Sequence, residues 1–279
     1  MAKTKAISLL SGASAPADLT EVYGLVIENV QKTALSTALK SQQYTGNPAA
    51  GSVEFKRFTN SVSKNYGTAR AGLKGDKITA PPTTVNLDQH KEIVEEAAKF
   101  DIDTFGVANL MQRRADNHVL SMSAELDRAY FTTEATAGTA FTPTKTAIQE
   151  IVEEMIQVLE TTKNEYTDGV DRSLMDLVMS PAKYGELRIH LDTQSNPNVD
   201  TAGEEFGMYH GVRVYSSTRL PSGVNGILAV RGATAQPVVS DQYSAPEKIP
   251  LSEDYAISLF YHYGTKTLTP DLVRVWKEA

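Results

Sequence analysis

The chain has 279 residues, 41% of them hydrophobic and 22% charged, with a formal net charge of −7. That is enough apolar chain for a sizeable core in one elaborate domain or two, and it excludes wholesale disorder. No cysteine is present, which removes disulfides, thiolate metal sites and cysteine nucleophiles, and no run of about 18 apolar residues exists to cross a bilayer as a helix.

Residues 1–20 are small, polar and proline-containing, and read as a flexible arm. The opening MAKTKAISLL imitates a secretory signal, but its apolar patch at 6–10 is shorter than the roughly 7 residues such a signal needs. Val22, Val26, Val30, Leu35 and Leu39 predict an amphipathic helix within 19–39, with Thr20 as its cap. Gly46, Pro48 and Gly51 then break the pattern. Residues 52–58 alternate as a strand, with Val53, Phe55 and Arg57 on one face and Glu54, Lys56 and Phe58 on the other. Residues 61–82 are polar, basic and glycine-punctuated, and 83–87 read as a return strand. Two strands bracketing about 20 hydrophilic residues predict a long hairpin standing away from the body, a kind of loop that is usually functional.

KEIVEEAAKF at 91–100 has helical propensities, yet Ala98, Phe100 and Ile102 alternate as in a strand. From 104 to 131 the apolar residues Val107, Met111, Ala115, Val119, Met122, Leu126 and Tyr130 recur every three or four positions. They form one stripe of a long helix of about 40 Å, with Asp103 placed to cap it. Residues 132–144 are a Thr, Ala and Gly connection. A second helix follows at 145–161, with Ile148, Ile151, Val152, Met155, Val158 and Leu159 inward and Glu150, Glu153, Glu154 and Glu160 outward as a solvated face. Residues 174–179 are a buried strand, and Ser180-Pro181 caps and opens a short helix over 182–191. After a loop at 194–208, strands are predicted at 211–216, 226–231, 238–240, 255–264 and 272–276. The sum is a mixed α+β chain.

No constellation of residues makes an active site. Gly67 to Lys74 is a near miss to the phosphate-binding loop: its lysine falls one residue late, no Ser or Thr follows, and Pro81-Pro82 comes next where a helix is required. Ser180-Pro-Ala-Lys183 matches S-x-x-K, but its companion S-D-N is missing and helix capping accounts for Ser180. His90, His118, His190, His210 and His262 lack metal-ligand spacing, and His118 reads as solvated or interfacial. Asp101 and Asp103 read as complements to a helix N-terminus. The charge is split, however. Residues 1–77 hold ten Lys or Arg against five Asp or Glu, and the rest hold 17 against 29. A basic hairpin beside an acidic body fits an arm lying on a neighbouring subunit better than a nucleic-acid surface.

The order of elements (arm, hairpin, long helix, α/β lobe, return to strands) resembles the major capsid, or major head, protein of tailed bacteriophages. The likeness rests on VNLDQHKEI at 85–93 leading to FDID at 100–103, LVMSPAKY at 177–184, GVRVYS at 211–216 with Leu220-Pro221, and the closing stretch 264–276. It implies the α+β tailed-phage major capsid protein fold. That fold has an N-terminal arm (1–39), an extended hairpin loop (40–90), a peripheral domain around a long spine helix (91–140 and 237–279) and an axial α/β domain (141–236). The resemblance also makes 91–100 a strand, against its propensity.

The function so implied is self-assembly into an icosahedral shell enclosing double-stranded DNA, with no enzymatic activity, cofactor or metal. Its partners would be itself in pentamers and hexamers, a separate scaffolding protein, a portal, and DNA held without sequence-specific contacts, with no membrane. Assembly would take place in the host cytoplasm and the protein would reside in the virion. Phe55, Lys56, Arg57, Phe58, Lys64, Tyr66, Arg70, Lys74 and Lys77 of the hairpin would contact the neighbouring subunit. Some relatives crosslink a loop lysine to an asparagine; Lys64, Lys74 and Lys77 lie in that loop, but nothing in the sequence marks a partner asparagine. The competing readings are an encapsulin-like nanocompartment shell, an enzyme with an unmarked site, and a DNA-binding accessory protein using the basic hairpin.

Overall fold

A 31-residue helix, α2 (Val107–Ala137), runs through the centre of the computed structural model. The model describes residues 28–30, 32–45, 47–48, 51–61, 63–67, 77–97, 107–193, 207–240, 247–248, 250–252 and 254–278. Val119, Met122, Leu126 and Tyr130 of the predicted stripe are buried. The helix outlasts its predicted end at 131 by six residues. Thr133 and Thr136 donate their hydroxyls to the carbonyls of Ala129 and Thr132 at 2.9 and 2.8 Å, which accommodates β-branched residues on the last turns. Gly138 ends it: a Cβ there would come within 2.7 Å of the Glu134 carbonyl and of Val273. The proposed cap, Asp103, and the predicted helix start at 104–106 lie outside the described residues, as do Asp101 and residues 19–27 and 31 of the 19–39 helix. The described end of that helix is α1 (Leu35–Leu39).

One sheet lies against the C-terminal half of α2. It contains β4 (Thr139–Phe141), β5 (Met175–Met179), β6 (Met208–Tyr209), β7 (Val212–Ser216), β8 (Val224–Val230) and β14 (Val273–Lys277), in the order β4-β14-β8-β5-β7-β6. Every residue of β5 is buried, as a strand covered on both faces requires. On one face Leu177, Leu228 and Trp276 pack with α3 (Ile148–Glu160) and α4 (Pro181–Asp192), through Ile151, Met155, Ile156 and Leu187. On the other, Val178, Ile227, Val273 and Val275 meet Tyr130 and Phe131 of α2 and Leu39 of α1. β14, which the sequence placed with the peripheral segment, is thus interior to the sheet built from 139–230. Val158, expected inward on α3, is 39% exposed, and Ile156 takes its place at 0%. Pro181 opens α4 as predicted, but the Ser180 hydroxyl makes no capping bond.

A second sheet covers the preceding part of α2. β3 (Gln89–Ala97) pairs antiparallel with β12 (Tyr255–Tyr263) from Gln89↔Tyr263 to Ala97↔Tyr255. Over 91–97 the expected strand forms, and tertiary pairing overrides helix propensity, while 98–100 lie outside the described residues. β12 also pairs with β10 (Val238–Ser240) and β11 (Glu247–Lys248). Tyr261 and Tyr263 donate their hydroxyls to Glu125 of α2 at 2.6 and 3.0 Å, and Lys91 reaches the same carboxylate at 3.1 Å. His118 is not solvated. It lies under β3, its side chain 3% exposed and 3.1 Å from Glu95, and burial first and Arg114 second lower its pKa. Among the described residues no helix is long and apolar enough to cross a membrane.

Candidate assembly surface

The hairpin is built from β1 (Ser52–Lys56) and β2 (Pro82–Asn86), paired antiparallel from Ser52↔Asn86 to Lys56↔Pro82. Alternation puts Val53, Phe55 and Val85 on one face, and they pack with Ala235 and Leu268 of the body. The base of the hairpin therefore lies on the chain itself rather than standing free of it. Arg57 continues that face. Its guanidinium donates to both carboxylate oxygens of Asp271 at 2.8 and 2.9 Å and sits 4.2 Å over the Tyr166 ring. Burial works to raise the Asp271 carboxyl, but the bonds from Arg57 and Asn164 outweigh it and hold the pKa below its usual value. One backbone bond more, Asn60 N–H to the Glu165 carbonyl at 2.9 Å, adds to the hold on the body, and Thr59 and Thr79 pair across the hairpin.

The solvent-facing side of the hairpin is apolar and basic together. Phe58 is 61% exposed, Tyr66 96% and Ile78 84%, interleaved with exposed Lys56, Lys64 and Lys77. Of the residues expected to contact a neighbour, Phe55 and Arg57 are engaged by the chain's own body, for the packing and pairing reasons just given. Arg70 and Lys74 lie outside the described residues. Ile78 was missed because it follows a basic stretch with no apolar periodicity, although an isolated isoleucine among lysines is itself a signal.

The acidic face of α3 is not simply solvated. Arg172 pairs with Glu153 at 2.8 Å and Glu160 at 3.0 Å, and His210, left-handed at φ 48°, adds a contact to Glu153 at 2.9 Å. The bond from Arg172 holds Glu153 down at about 2. Glu154 accepts from both the N–H and the hydroxyl of Thr144, at 3.0 and 2.6 Å. These contacts fix the loops at the α3–β6 end of the molecule, where Leu174, Ile189 and Met208 are exposed.

No constellation of catalytic type appears among the described residues. Lys183 of the S-x-x-K match pairs with Glu186 at 2.8 Å, and no group of three metal-ligating side chains is present. Of the near-miss phosphate loop only Gly67 is described.

The model of the family described as phage capsid protein matches residues 91–275. No curated protein matches the chain. Solved structures share its fold. The capsid of Cyanophage P-SCSP1u is 12% identical, with a TM-score of 0.61 over 88% of each chain. A structure from Mycobacterium phage Che8 is 17% identical, with a TM-score of 0.58 over 85% of this chain and 93% of that one. The virus-like particle from Pyrococcus furiosus is 12% identical, with a TM-score of 0.56 over 92% of this chain and 98% of its own.

Proposed function

We propose a shell-building role for this chain, which belongs to the phage capsid protein family: it is a major capsid protein that self-assembles into the icosahedral shell of a tailed-phage virion around double-stranded DNA. The family match carries this reading, because it runs through the spine helix, both large sheets and β14. The compartment-shell alternative gains nothing over it, since the family match is to phage capsid protein.

The hairpin supplies the physical argument for how neighbours meet. It presents Phe58, Tyr66 and Ile78 to solvent, and apolar side chains of that size on a basic loop suit a partner surface of opposite charge. The rest of the chain is that surface, by its excess of Asp and Glu. Lys56, Phe58, Lys64, Tyr66 and Lys77, with Arg70 and Lys74, are the residues we assign to this contact. A heterologous contact of this kind closes into rings and shells when repeated. Residues 141–236, together with β14, form the axial lobe around five-fold and six-fold centres, and 91–140 with 237–272 form the peripheral lobe. A scaffolding protein and a portal guide assembly in the host cytoplasm, and the DNA is enclosed without base-specific contacts.

Negative-stain electron microscopy of the chain, expressed alone and with its neighbouring genes, tests the reading. Uniform shells or sheets of rings are expected, lost in the Phe58→Ser, Tyr66→Ser, Ile78→Ser triple variant while its circular dichroism is unchanged. Small discrete oligomers under every condition would overturn the shell. Shells from the triple variant would overturn only the assignment of the hairpin.

A further inference from the structure

His90 of β3 and His262 of β12 stand directly opposite each other in the antiparallel register. Their rings meet edge to face, centroids 4.6 Å apart, with the two Nδ1 atoms separated by 2.6 Å. The strand alternation decides which face they occupy. Lys91, Tyr261 and Tyr263 point inward to Glu125 of the spine, so His90 and His262 are on the outer face, where His90 is exposed and His262 half-buried. Glu92 flanks His90 on that same face by the same alternation and is also exposed, whereas Asp88, just before β3, lies with Lys91, Glu125 and Tyr263 on the inner side. The bland reading is a proton shared between two neutral rings, one Nδ1 donating and the other accepting. That arrangement also describes two nitrogen ligands already converged on one point, held by a nine-residue strand pair and open to solvent.

We propose that His90 and His262 form a bidentate site for a divalent transition-metal ion, Cu2+ or Zn2+, which takes the place of the Nδ1–Nδ1 hydrogen bond, each ring carrying its proton on Nε2, and clips β3 to β12. Metal–imidazole bonds of about 2.0–2.1 Å put two ligand nitrogens about 2.9 Å apart at a right angle and about 3.3 Å apart in a tetrahedron. Opening the pair from 2.6 Å to either value takes a small rotation of two surface side chains. Only two protein ligands converge, since no group of three occurs among the described residues, so water fills the other positions. The ligand-field order for such nitrogen sites places Cu2+ above Zn2+. The site lies where it matters mechanically. Gly264, two residues beyond His262, is pressed against the backbone of Asn86 and Leu87, so the ion would tie down the strand that carries the hairpin onto the body.

The test is isothermal titration of the untagged full chain with CuCl2 and with ZnCl2 at pH 7.5. One ion bound per chain is expected, with Cu2+ the tighter. His90→Gln and His262→Gln should each weaken binding at least tenfold, and His190→Gln should leave it unchanged. A readout that needs no variant is carbethoxylation of the wild-type histidines, read by mass spectrometry. Saturating Zn2+ should protect His90 and His262 but not His190. Absence of binding, equal binding by the variants, or unaltered reactivity of the pair under Zn2+ would each overturn the site.

Discussion

Asp127, on the spine helix, accepts the backbone N–H of Ser36, 91 residues earlier in the chain, at 2.8 Å. It also accepts from Leu35 N–H at 3.3 Å and from the Arg219 guanidinium at 2.6 Å. Ala34, at the cap position of α1, has no side-chain oxygen, so the spine provides the cap from a distance. One buried carboxylate thereby joins the N-terminal helix, the spine and the β7–β8 connection. Asp127→Ala leaves Arg219 and two helix N–H groups without their acceptor and should cost about 3 kcal/mol in urea unfolding. Pairing it with Arg219→Ala should cost clearly less than the two changes summed; strict additivity would mean that the pair does not interact.

Glu134, four residues after Tyr130 on the same helix, is 2% exposed, and burial raises its pKa to about 7 against the bonds from Thr234 and Tyr130. Between the ordinary value of 4.5 and about 7 the folded chain keeps this proton while the unfolded chain has lost it. The group's contribution is therefore full below 4.5 and falls away as pH rises through 7. Relative to wild type, Glu134→Gln should gain up to about 3 kcal/mol between pH 5 and pH 8. Parallel stability profiles for the two proteins would refute this.

Arg57→Ala removes two charge-assisted bonds and the stacking on Tyr166. Both partners of the ion pair are partly exposed, so the loss should be only about 1–2 kcal/mol. Its signature is local: limited proteolysis should cut the hairpin faster while the remaining core resists as before. Arg57→Lys should not restore protection, because an ammonium cannot reproduce the planar fork.

Gly264→Ala should be among the most damaging small changes in the chain. The added methyl would sit 1.9 Å from the Asn86 carbonyl oxygen, a backbone atom that moves only if the β2–β3 connection moves. A loss of about 3 kcal/mol or more, or insoluble protein, is expected. A variant with unaltered thermal midpoint would show that this crossing yields easily.

Elements held by local periodicity were legible in the sequence. The stripe through Val119, Met122, Leu126 and Tyr130 marks the spine, and the alternation of Val53 and Phe55 marks β1. Buried polar residues were not, because nothing local announces their partners. His118, beside Val119, reads as solvated or interfacial, and Asp127, beside Leu126, carries no mark of its own. Each is buried beneath a segment remote in sequence. Glu134 did leave a trace, since it continues the stripe at i+4 from Tyr130. In the hairpin the exposed aromatics were readable, but the seating of its base was not, for Arg57 and Asp271 lie 214 residues apart. The two-residue strands β6, β9 (Thr234–Ala235) and β13 (Lys266–Thr267) are too short to show a period.

β14 lies between β4 and β8, pairing parallel with residues 139–141 and antiparallel with 224–229. A ribosome must therefore read past codon 277 before the gap between the edge strand β4 and β8 can close. Until then the nascent chain exposes the apolar edge and both faces of an unfinished layer, and the platform that carries the hairpin base is incomplete. Docking onto a neighbour is thus postponed until residues 273–277 have been made, which keeps shorter nascent chains on one polysome from knitting together.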